Sequence, residues 1–120
     1  FLGHLTAEEL RALYKKCTVF VFPSTVETFG NPLVEAMACG APIVCSDAAA
    51  MPEVLGEAGN YFDPTNVESI FIALSNVLEQ GKLREEMGQK ASQRAKQFSW
   101  QKTKELTIKN LFDAASIEYY

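Results

Sequence analysis

The sequence predicts an α/β fold in which a parallel sheet is flanked by helices. Three short segments have the length and the apolar, partly β-branched composition of buried strands, and they lie at residues 18–22, 41–46 and 61–63. Stretches with helical spacing of apolar residues separate these segments and follow the last of them. Strands that alternate with helices form parallel sheets, because a parallel pair needs a long crossover and a helix usually supplies it.

Composition narrows the class of protein. The chain has 120 residues, of which 48% are hydrophobic and 22% charged, so it has the length and composition of one globular domain. Its net charge of −4 disfavours a nucleic-acid partner, which needs a basic surface. No apolar run approaches the roughly 18 residues of a membrane span, and the first residues do not form a signal peptide.

The odd number of cysteines indicates free thiols. Cys17, Cys39 and Cys45 lie in apolar surroundings, and we interpret them as buried thiols of a cytoplasmic protein. A metal site would need closer spacing and more than the one histidine present, so the sequence predicts no metal. Asp47 has no second carboxylate at a spacing that would complete an acidic metal-binding pair.

The first helix is expected to begin after Thr6. This residue and Glu9 form a capping box, in which each side chain accepts a hydrogen bond from the other residue's amide. One face of the helix carries the apolar residues Leu10, Leu13 and Tyr14. Residues 1–3 are typical of the end of a strand, so the chain is predicted to start in mid-domain.

The segment after the first strand has the pattern of a ligand-binding connection. A loop leads from the strand at 18–22 to a helix predicted at 32–39, which Pro32 would begin and Gly40 would end. Unpaired amide groups and the helix dipole make such a helix start an anion site. Gly30 lets the backbone approach a ligand closely, because it has no side chain.

Two carboxylates flank this predicted anion site. Glu27 lies in the loop and Glu35 lies one turn inside the helix, with seven residues between them. A phosphate would repel a carboxylate directed straight at it, so these side chains suit hydroxyl groups better. A sugar nucleotide, which has hydroxyl-rich groups on both sides of a diphosphate, would satisfy both the amides and the carboxylates.

The middle of the chain contains two more strands and a short helix. The strand at 41–46 is followed by small residues and by a helical turn, Met51–Leu55, that Gly56 ends. Glu53 in this turn is interpreted as a capping or salt-bridging residue. After the strand at 61–63, Thr65 and Glu68 are expected to form a second capping box.

The last third of the sequence is predicted to be helical. One helix carries a stripe made of Ile70, Leu74, Val77 and Leu78, and Gly81 is expected to stop it. A second helix, at 82–98, has an inward face made of Leu83, Met87, Ala91 and Ala95, and Gly88 weakens this prediction slightly.

Ser99 is expected to cap a last helix at 100–115. Its predicted inward residues are Leu106, Leu111 and Phe112, and Phe98 and Trp100 are interpreted as packing residues. The chain end at 118–120 is expected to fray.

The motif that runs from Glu27 to Gly40 and on through Ala41-Pro42-Ile43-Val44 resembles the E-x7-E signature of retaining GT-B glycosyltransferases. That large family (group 1, or family 4) contains bacterial mannosyl- and glucosyltransferases. The resemblance continues through 51–54 and 59–64 to the Phe-Ser-Trp at 98–100. It implies a Rossmann-like parallel sheet from the C-terminal domain of a GT-B fold, with residues 1–120 lacking the N-terminal portion of that domain.

The resemblance also implies roles for individual residues. The glutamate that matches Glu35 binds the ribose hydroxyls of the donor nucleotide, and the one that matches Glu27 acts as a catalytic residue beside the donor sugar. Backbone amides of the intervening segment would bind the diphosphate or the sugar. The implied donor-binding residues of this segment are Phe29, Gly30, Asn31, Pro32 and Leu33.

The implied activity is transfer of a sugar from GDP-mannose or a UDP-hexose to the hydroxyl of a glycan or lipid-linked acceptor, with no metal or cofactor. An arginine and a lysine from an earlier stretch, and the acceptor site of the other domain, match nothing in this sequence. We therefore expect the 120-residue chain alone to be inactive. The expected location is the cytoplasm, including the inner face of the membrane, where the absent domain would attach peripherally.

Two alternatives follow from the same residues. A non-catalytic nucleotide-binding or assembly module could keep the fold without turnover. A sugar-nucleotide epimerase of related architecture would need acid and base residues around the sugar, and none is recognisable in this sequence.

Overall fold

The computed structural model of the protein describes residues 1–117 and contains a parallel sheet with the strand order β1-β2-β3. The strands are β1 (Phe20–Phe22), β2 (Ile43–Ser46) and β3 (Asn60–Phe62). The helices are α1 (Ala7–Lys16), α2 (Asn31–Ala38), α3 (Met51–Leu55), α4 (Val67–Glu79), α5 (Gly81–Ala95) and α6 (Trp100–Ile117). A short 3₁₀ turn, Gly56–Ala58, joins α3 to β3. The predicted α/β fold class with a parallel sheet and flanking helices is confirmed.

The core lies on both faces of the central strand. All four residues of β2 are buried, and successive side chains of a strand point to opposite faces. Ile43 and Cys45 therefore join a cluster with α1, α2 and α3, whereas Val44 joins a second cluster with β3, α4 and Met87 of α5. A short strand covered on both sides reads as a continuous apolar run, which is the pattern at 41–46.

The three cysteines are free thiols in different surroundings. Cys45 is buried, and burial together with Asp47 raises the pKa of its thiol to about 12. Cys17 and Cys39 are only half-buried, so the prediction of three buried thiols is correct for one of them.

Helix α5 supports the sheet through a close contact with the end of α2. A Cβ atom on Gly88 would lie 2.5 Å from the carbonyl oxygen of Gly40, so the helix can approach that carbonyl only with glycine at this position. The glycine that weakens the helix prediction thus has a packing reason. The predicted inward residues Met87, Ala91 and Ala95 are buried.

The helix caps agree with the sequence at α1 and differ at α4. The capping box of Thr6 and Glu9 is present in both directions. At α4 the N-cap is Asn66, whose Oδ1 accepts from the amide of Ser69, and the predicted box of Thr65 with Glu68 is wrong. The hydroxyl of Thr65 donates to Oδ1 of Asp63 at 2.7 Å instead, because the turn after β3 folds back on that carboxylate.

The outer edge of β3 is closed by its own side chain. The carbonyl of Phe62 faces β2, where it accepts from the amide of Asp47 at 2.9 Å, so the amide of the preceding residue, Tyr61, faces outward. Oδ1 of Asn60 accepts from this outward amide at 3.1 Å. The edge strand therefore presents one backbone donor fewer to its surroundings.

Helix α6 is the part of the fold that differs most from the prediction. Ser99 caps it, as expected, with Oγ accepting from the amide of Lys102 at 3.2 Å. The residues predicted to face inward are instead largely exposed: 50% for Leu106, 65% for Leu111 and 71% for Phe112. Trp100, predicted to pack beside Phe98, is 85% exposed.

Two further expectations concern the chain ends and membrane crossing. Residues 1–3 form no strand in the part of the chain that the structure describes, and the frayed end expected at 118–120 lies outside the described residues. No helix within 1–117 is long and apolar enough to cross a membrane.

Candidate functional site

The connection between β1 and α2 is built around a glycine with a left-handed backbone. Gly30 has φ +83° and ψ 60° and is the N-cap of α2. A Cβ atom there would meet the ring of Phe22 at an ordinary 3.5 Å, so the backbone angle rather than space favours glycine. The loop at 23–30 turns through this residue into a helix that begins at Asn31, with Pro32 in its first turn.

A run of backbone amides at this turn has no protein acceptor. The amide groups of Thr28, Phe29, Gly30 and Asn31 donate to no group within residues 1–117. Gly30 is buried, so its free amide is a donor that the fold itself leaves unused. These amides lie at the positive end of the α2 dipole, and the arrangement suits an anion.

Two of the predicted donor-binding residues have no free amide in this structure. Leu33 is fully buried and its amide donates to the carbonyl of Gly30 at 2.9 Å. Pro32 has no amide hydrogen and is the second residue of α2 rather than the first. In this structure the first turn of the helix already uses the Leu33 amide as a donor, and the predicted role of Leu33 in donor binding stays a prediction.

Glu27 is held inside the loop by a serine. Ser24 Oγ lies 3.3 Å from Oε1 of Glu27 and 3.1 Å from the carbonyl oxygen of Val26. The glutamate side chain is half-buried. A carboxylate that is restrained in this way has further lone pairs available to a ligand hydroxyl.

Glu35 is exposed on α2 and contacts a buried tyrosine of α1. The hydroxyl of Tyr14 donates to Oε2 of Glu35 at 3.4 Å, and the tyrosine ring is 7% exposed. The ring packs edge-to-face on Phe20 of β1 with a centroid distance of 5.2 Å. Burial and the Glu35 carboxylate raise the pKa of Tyr14 to about 12, so its hydroxyl keeps its proton at neutral pH.

The loop is attached to the rest of the domain by its phenylalanine. Phe29 is 40% exposed and contacts Phe98 edge-to-face at a centroid distance of 5.6 Å. The guanidinium of Arg94 lies 6.0 Å from the centre of the Phe98 ring. The same guanidinium donates to the carbonyls of Val54 at 2.7 Å and of Glu53 at 2.6 Å, at the end of α3. Glu53 thus participates through its backbone, and its side chain is exposed.

The two predicted carboxylates lie on either side of the free amides in the sequence, Glu27 in the loop and Glu35 in α2. Glu27 precedes these amides and Glu35 follows them, each with one tyrosine or serine hydroxyl as partner. Two clefts lie away from this connection: one of about 420 Å³ lies beside β3 and α4, and one of about 1130 Å³ lies between α5 and the starts of β1 and β2. No group of three metal-ligating side chains occurs within 1–117.

Two contacts of the site were not predicted. The sequence places Tyr14 on the apolar face of α1, and its hydroxyl was the available signal, since a buried tyrosine hydroxyl usually has a partner. Arg94 gave no such signal, because its partners are backbone carbonyls separated from it by 40 residues of chain or more.

The comparison with protein families gives a match over most of the chain. A family model described as "Glycosyl transferases group 1" matches residues 1–94. The O-antigen chain mannosyltransferase B of Escherichia coli is 41% identical over 108 residues, which cover 90% of this chain and 28% of that protein. The chain therefore spans less than a third of the length of this relative.

Two solved structures are similar to the fold. Sucrose-phosphate synthase from Thermosynechococcus elongatus has a TM-score of 0.84 and 27% identity, and the match covers 95% of this chain and 30% of that one. The C-terminal domain of a glycosyl transferase group 1 family protein from Francisella tularensis has a TM-score of 0.70 and 26% identity, over 81% of this chain and 51% of that one.

Proposed function

This chain belongs to the glycosyl transferases group 1 family, and we propose that it is the donor-binding part of an enzyme that transfers a hexose from a nucleotide diphosphate to an acceptor hydroxyl with retention of configuration. In this proposal residues 1–120 belong to the C-terminal domain of a two-domain GT-B enzyme. The other, N-terminal domain of that enzyme would contribute the acceptor site.

The observation that carries the proposal is the free amide run at the start of α2. The amides of Phe29, Gly30 and Asn31 have no acceptor within the described residues, and in the sequence they lie between the carboxylates Glu27 and Glu35. A diphosphate needs donors and the carboxylates need hydroxyl groups, so a sugar nucleotide provides both. Glu35 would bind the ribose and Glu27 the transferred sugar.

The chemical demand of the reaction is charge on the departing diphosphate. Donors that are fixed before the reaction stabilise such charge without a cost of reorganisation. The amides at Gly30 and Asn31 would supply part of this stabilisation. The positive end of the α2 dipole lies at the same place and also favours negative charge. Cationic side chains of the remaining portion of the domain would supply the rest, so we expect no transfer by the 120-residue chain alone.

Mannose is the favoured sugar. The Escherichia coli relative that is 41% identical is named a mannosyltransferase, and we therefore place GDP-mannose ahead of UDP-hexoses as the donor. A glycan or lipid-linked acceptor follows from the O-antigen chain in the same name. Such an acceptor would bring the enzyme to the inner face of the cytoplasmic membrane.

The central test removes each carboxylate in the complete enzyme. We expect Glu35→Ala or Glu27→Ala to lower kcat/KM for the sugar nucleotide by about 10²–10³-fold, the range for loss of one preorganised contact in the transition state. Glu86→Ala, an exposed carboxylate on α5 outside the site, is the matched control and should stay within about twofold. Near-normal kinetics for both site variants would contradict the proposal and favour a non-catalytic module.

Donor identity and stereochemistry need separate measurements. Binding to the folded state raises the unfolding free energy with the logarithm of ligand concentration over Kd, so GDP-mannose and UDP-glucose at equal concentration can be ranked by thermal shift. The anomeric configuration of the first product, read by proton NMR, tests retention. An inverted product would overturn that part of the proposal.

A further inference from the structure

We propose that Tyr14 is a positioning residue for Glu35, and that its hydroxyl sets how tightly the site binds the ribose of a nucleotide. This inference rests on the proposed function, in which Glu35 accepts from ribose hydroxyls. It assigns a role to a side chain of α1, which precedes the glutamate motif and contributes no backbone to it.

The geometry makes Tyr14 a fixed donor beneath a solvent-exposed acceptor. Its side chain is 7% exposed and packs against the ring of Phe20, so the ring has little freedom to rotate away. The hydroxyl is directed at Oε2 of Glu35, and this carboxylate is its partner within the described residues. A phenylalanine would fill the same space, so packing alone does not account for the hydroxyl.

The hydrogen bond restricts the carboxylate while leaving most of it available. A carboxylate has about four acceptor positions, and Tyr14 uses one of those on Oε2. Glu35 is exposed, and its other acceptor positions have no partner within the described residues. A glutamate that is already oriented loses less side-chain entropy when a ligand binds.

The length of the contact indicates where the hydrogen bond acts. The 3.4 Å between the two oxygens exceeds the roughly 2.5–3.0 Å of a typical hydroxyl–oxygen hydrogen bond. Contacts of this kind shorten in ligand complexes of enzymes. We therefore expect the Tyr14 hydroxyl to strengthen binding chiefly when a ribose occupies the other oxygens of Glu35.

The test compares nucleotides with and without ribose hydroxyls. GDP, UDP and their 2′,3′-dideoxy analogues are titrated by calorimetry into the complete enzyme and its Tyr14→Phe variant. We expect the variant to lose about 10- to 20-fold in affinity for the ribonucleotides and almost nothing for the dideoxy forms, the low end of the range for a hydrogen bond to a charged group. In turnover the loss should appear in KM, with kcat within about twofold.

A second tyrosine provides the matched control. Tyr61 is half-buried, and its hydroxyl also has a protein acceptor, the carbonyl of Gly56 at 2.5 Å, at the end of α3 rather than at Glu35. Tyr61→Phe should lower stability to a similar degree and leave the preference for ribose unchanged. Equal loss of the preference in both variants would overturn the inference, since a general loosening would then explain it.

A double variant separates this inference from the proposed function. Glu35→Ala should abolish the preference for ribose, and Tyr14→Phe should add nothing to it. If Glu35→Ala abolishes the preference and Tyr14→Phe retains it, the positioning role is refuted and the proposed function stands. If Glu35→Ala retains it, both are refuted.

A replacement that keeps the ring and the hydroxyl covers the case in which Tyr14→Phe does not fold. A fluorinated tyrosine at position 14 ionises at a lower pH, and its phenolate cannot donate. The titratable groups that face it are Glu35 and Cys39 of α2 and Cys17 after α1. The preference for ribose should fall as pH rises through the lowered pKa in this variant only, and an unchanged profile would refute the inference.

Discussion

The connections that follow β1 and β2 start at the same edge of the sheet and lead into helices with proline in the first turn, but their backbones differ. After β2, the amide of Asp47 donates to Phe62, that of Ala48 to Ser46 Oγ and that of Met51 to Ala48. After β1, the loop at 23–30 is twice as long and its last amides donate to nothing within the described residues. The amides of Ala49 and Ala50 after β2 also have no acceptor within the described residues, so the two connections differ in degree: the one after β1 ends in four consecutive free amides, from Thr28 to Asn31, and the one after β2 has two.

The proposed binding site rests on this difference, because the unit after β1 leaves a longer run of amides unpaired than the unit after β2. Helix α5 contacts both units. Gly88 packs against Gly40 at the end of α2, in the unit after β1, and Arg94 donates to the carbonyl of Val54 in α3, in the unit after β2. The support is thus shared, and the distinction lies in the loop backbones. Four predictions test this comparison, in order of decreasing effect.

The largest effect is expected from loss of the shared support. Gly88→Ala would bring a Cβ atom within 2.5 Å of a backbone oxygen, and such overpacking costs about 1–3 kcal/mol of unfolding free energy. Urea denaturation measures it, and donor affinity should fall as well, because Gly40 ends the helix whose start carries the free amides. Gly81→Ala is the control, since its added methyl meets only Arg84 Nη2 at 3.7 Å; equal stability of the two variants would contradict the prediction.

A smaller effect is expected from exchanging the left-handed residues of the two loops. Gly30 has φ +83°, and Ala49 in the second loop has φ 52°. Gly30→Ala should cost about 1–2 kcal/mol of unfolding free energy, because a Cβ atom is strained in this region. The variant should also bind the donor less tightly, since the loop can relieve that strain only by moving the free amides.

Ala49→Gly should have the opposite sign. It removes the strain of a left-handed alanine but raises the conformational entropy of the unfolded chain. The net gain in unfolding free energy should be at most about 1 kcal/mol. Donor affinity should not change, because the proposed site contains no residue of this loop. A change in affinity here as large as that for Gly30→Ala would show that the two loops are functionally alike.

The last prediction concerns the pH dependence of stability, which should not change near neutral pH. It involves Tyr14, which contacts α2 through Glu35, and Tyr61, which contacts the end of α3 through Gly56. Burial, with Glu35 beside Tyr14 and Cys45 beside Tyr61, raises the pKa of each phenol from 10 to about 12. The folded state therefore holds these protons more tightly than the unfolded state, and this stability is complete below pH 10 and is lost as pH rises towards 12. Unfolding free energies from pH 8 to 11.5 should fall less steeply in Tyr14→Phe and in Tyr61→Phe, by similar amounts; a slope unaffected by both substitutions would contradict the prediction.

The fold could be predicted from local patterns because those patterns are what the core uses. The apolar run at 41–46 became the buried central strand, and the loop with Gly30 became the turn into α2. Bounds shifted by one or two residues where two residues could cap, as with Thr65 and Asn66 before α4. There Asn66 caps the helix, because the Thr65 hydroxyl donates to Asp63 instead.

What could not be predicted depends on long-range contacts. The apolar spacing of α6 shows which side of the helix is apolar, and it does not show whether another element covers that side; Leu111 and Trp100 are exposed in the described chain. The contact of Tyr14 with Glu35 joins residues that are 21 positions apart. The role of the free amides also remains a prediction, since hydroxyl and phosphate partners would come from outside the chain.

The side chain of Asn60 has a consequence for how the protein behaves in concentrated solution. An open strand edge is a template on which a second molecule can add its own strand, and aggregation often starts there. Because the outward amide of Tyr61 is already occupied by Asn60 Oδ1, an incoming strand at β3 would find a missing donor in its ladder and an amide side chain in its path. Self-association through that side of the sheet is thereby discouraged.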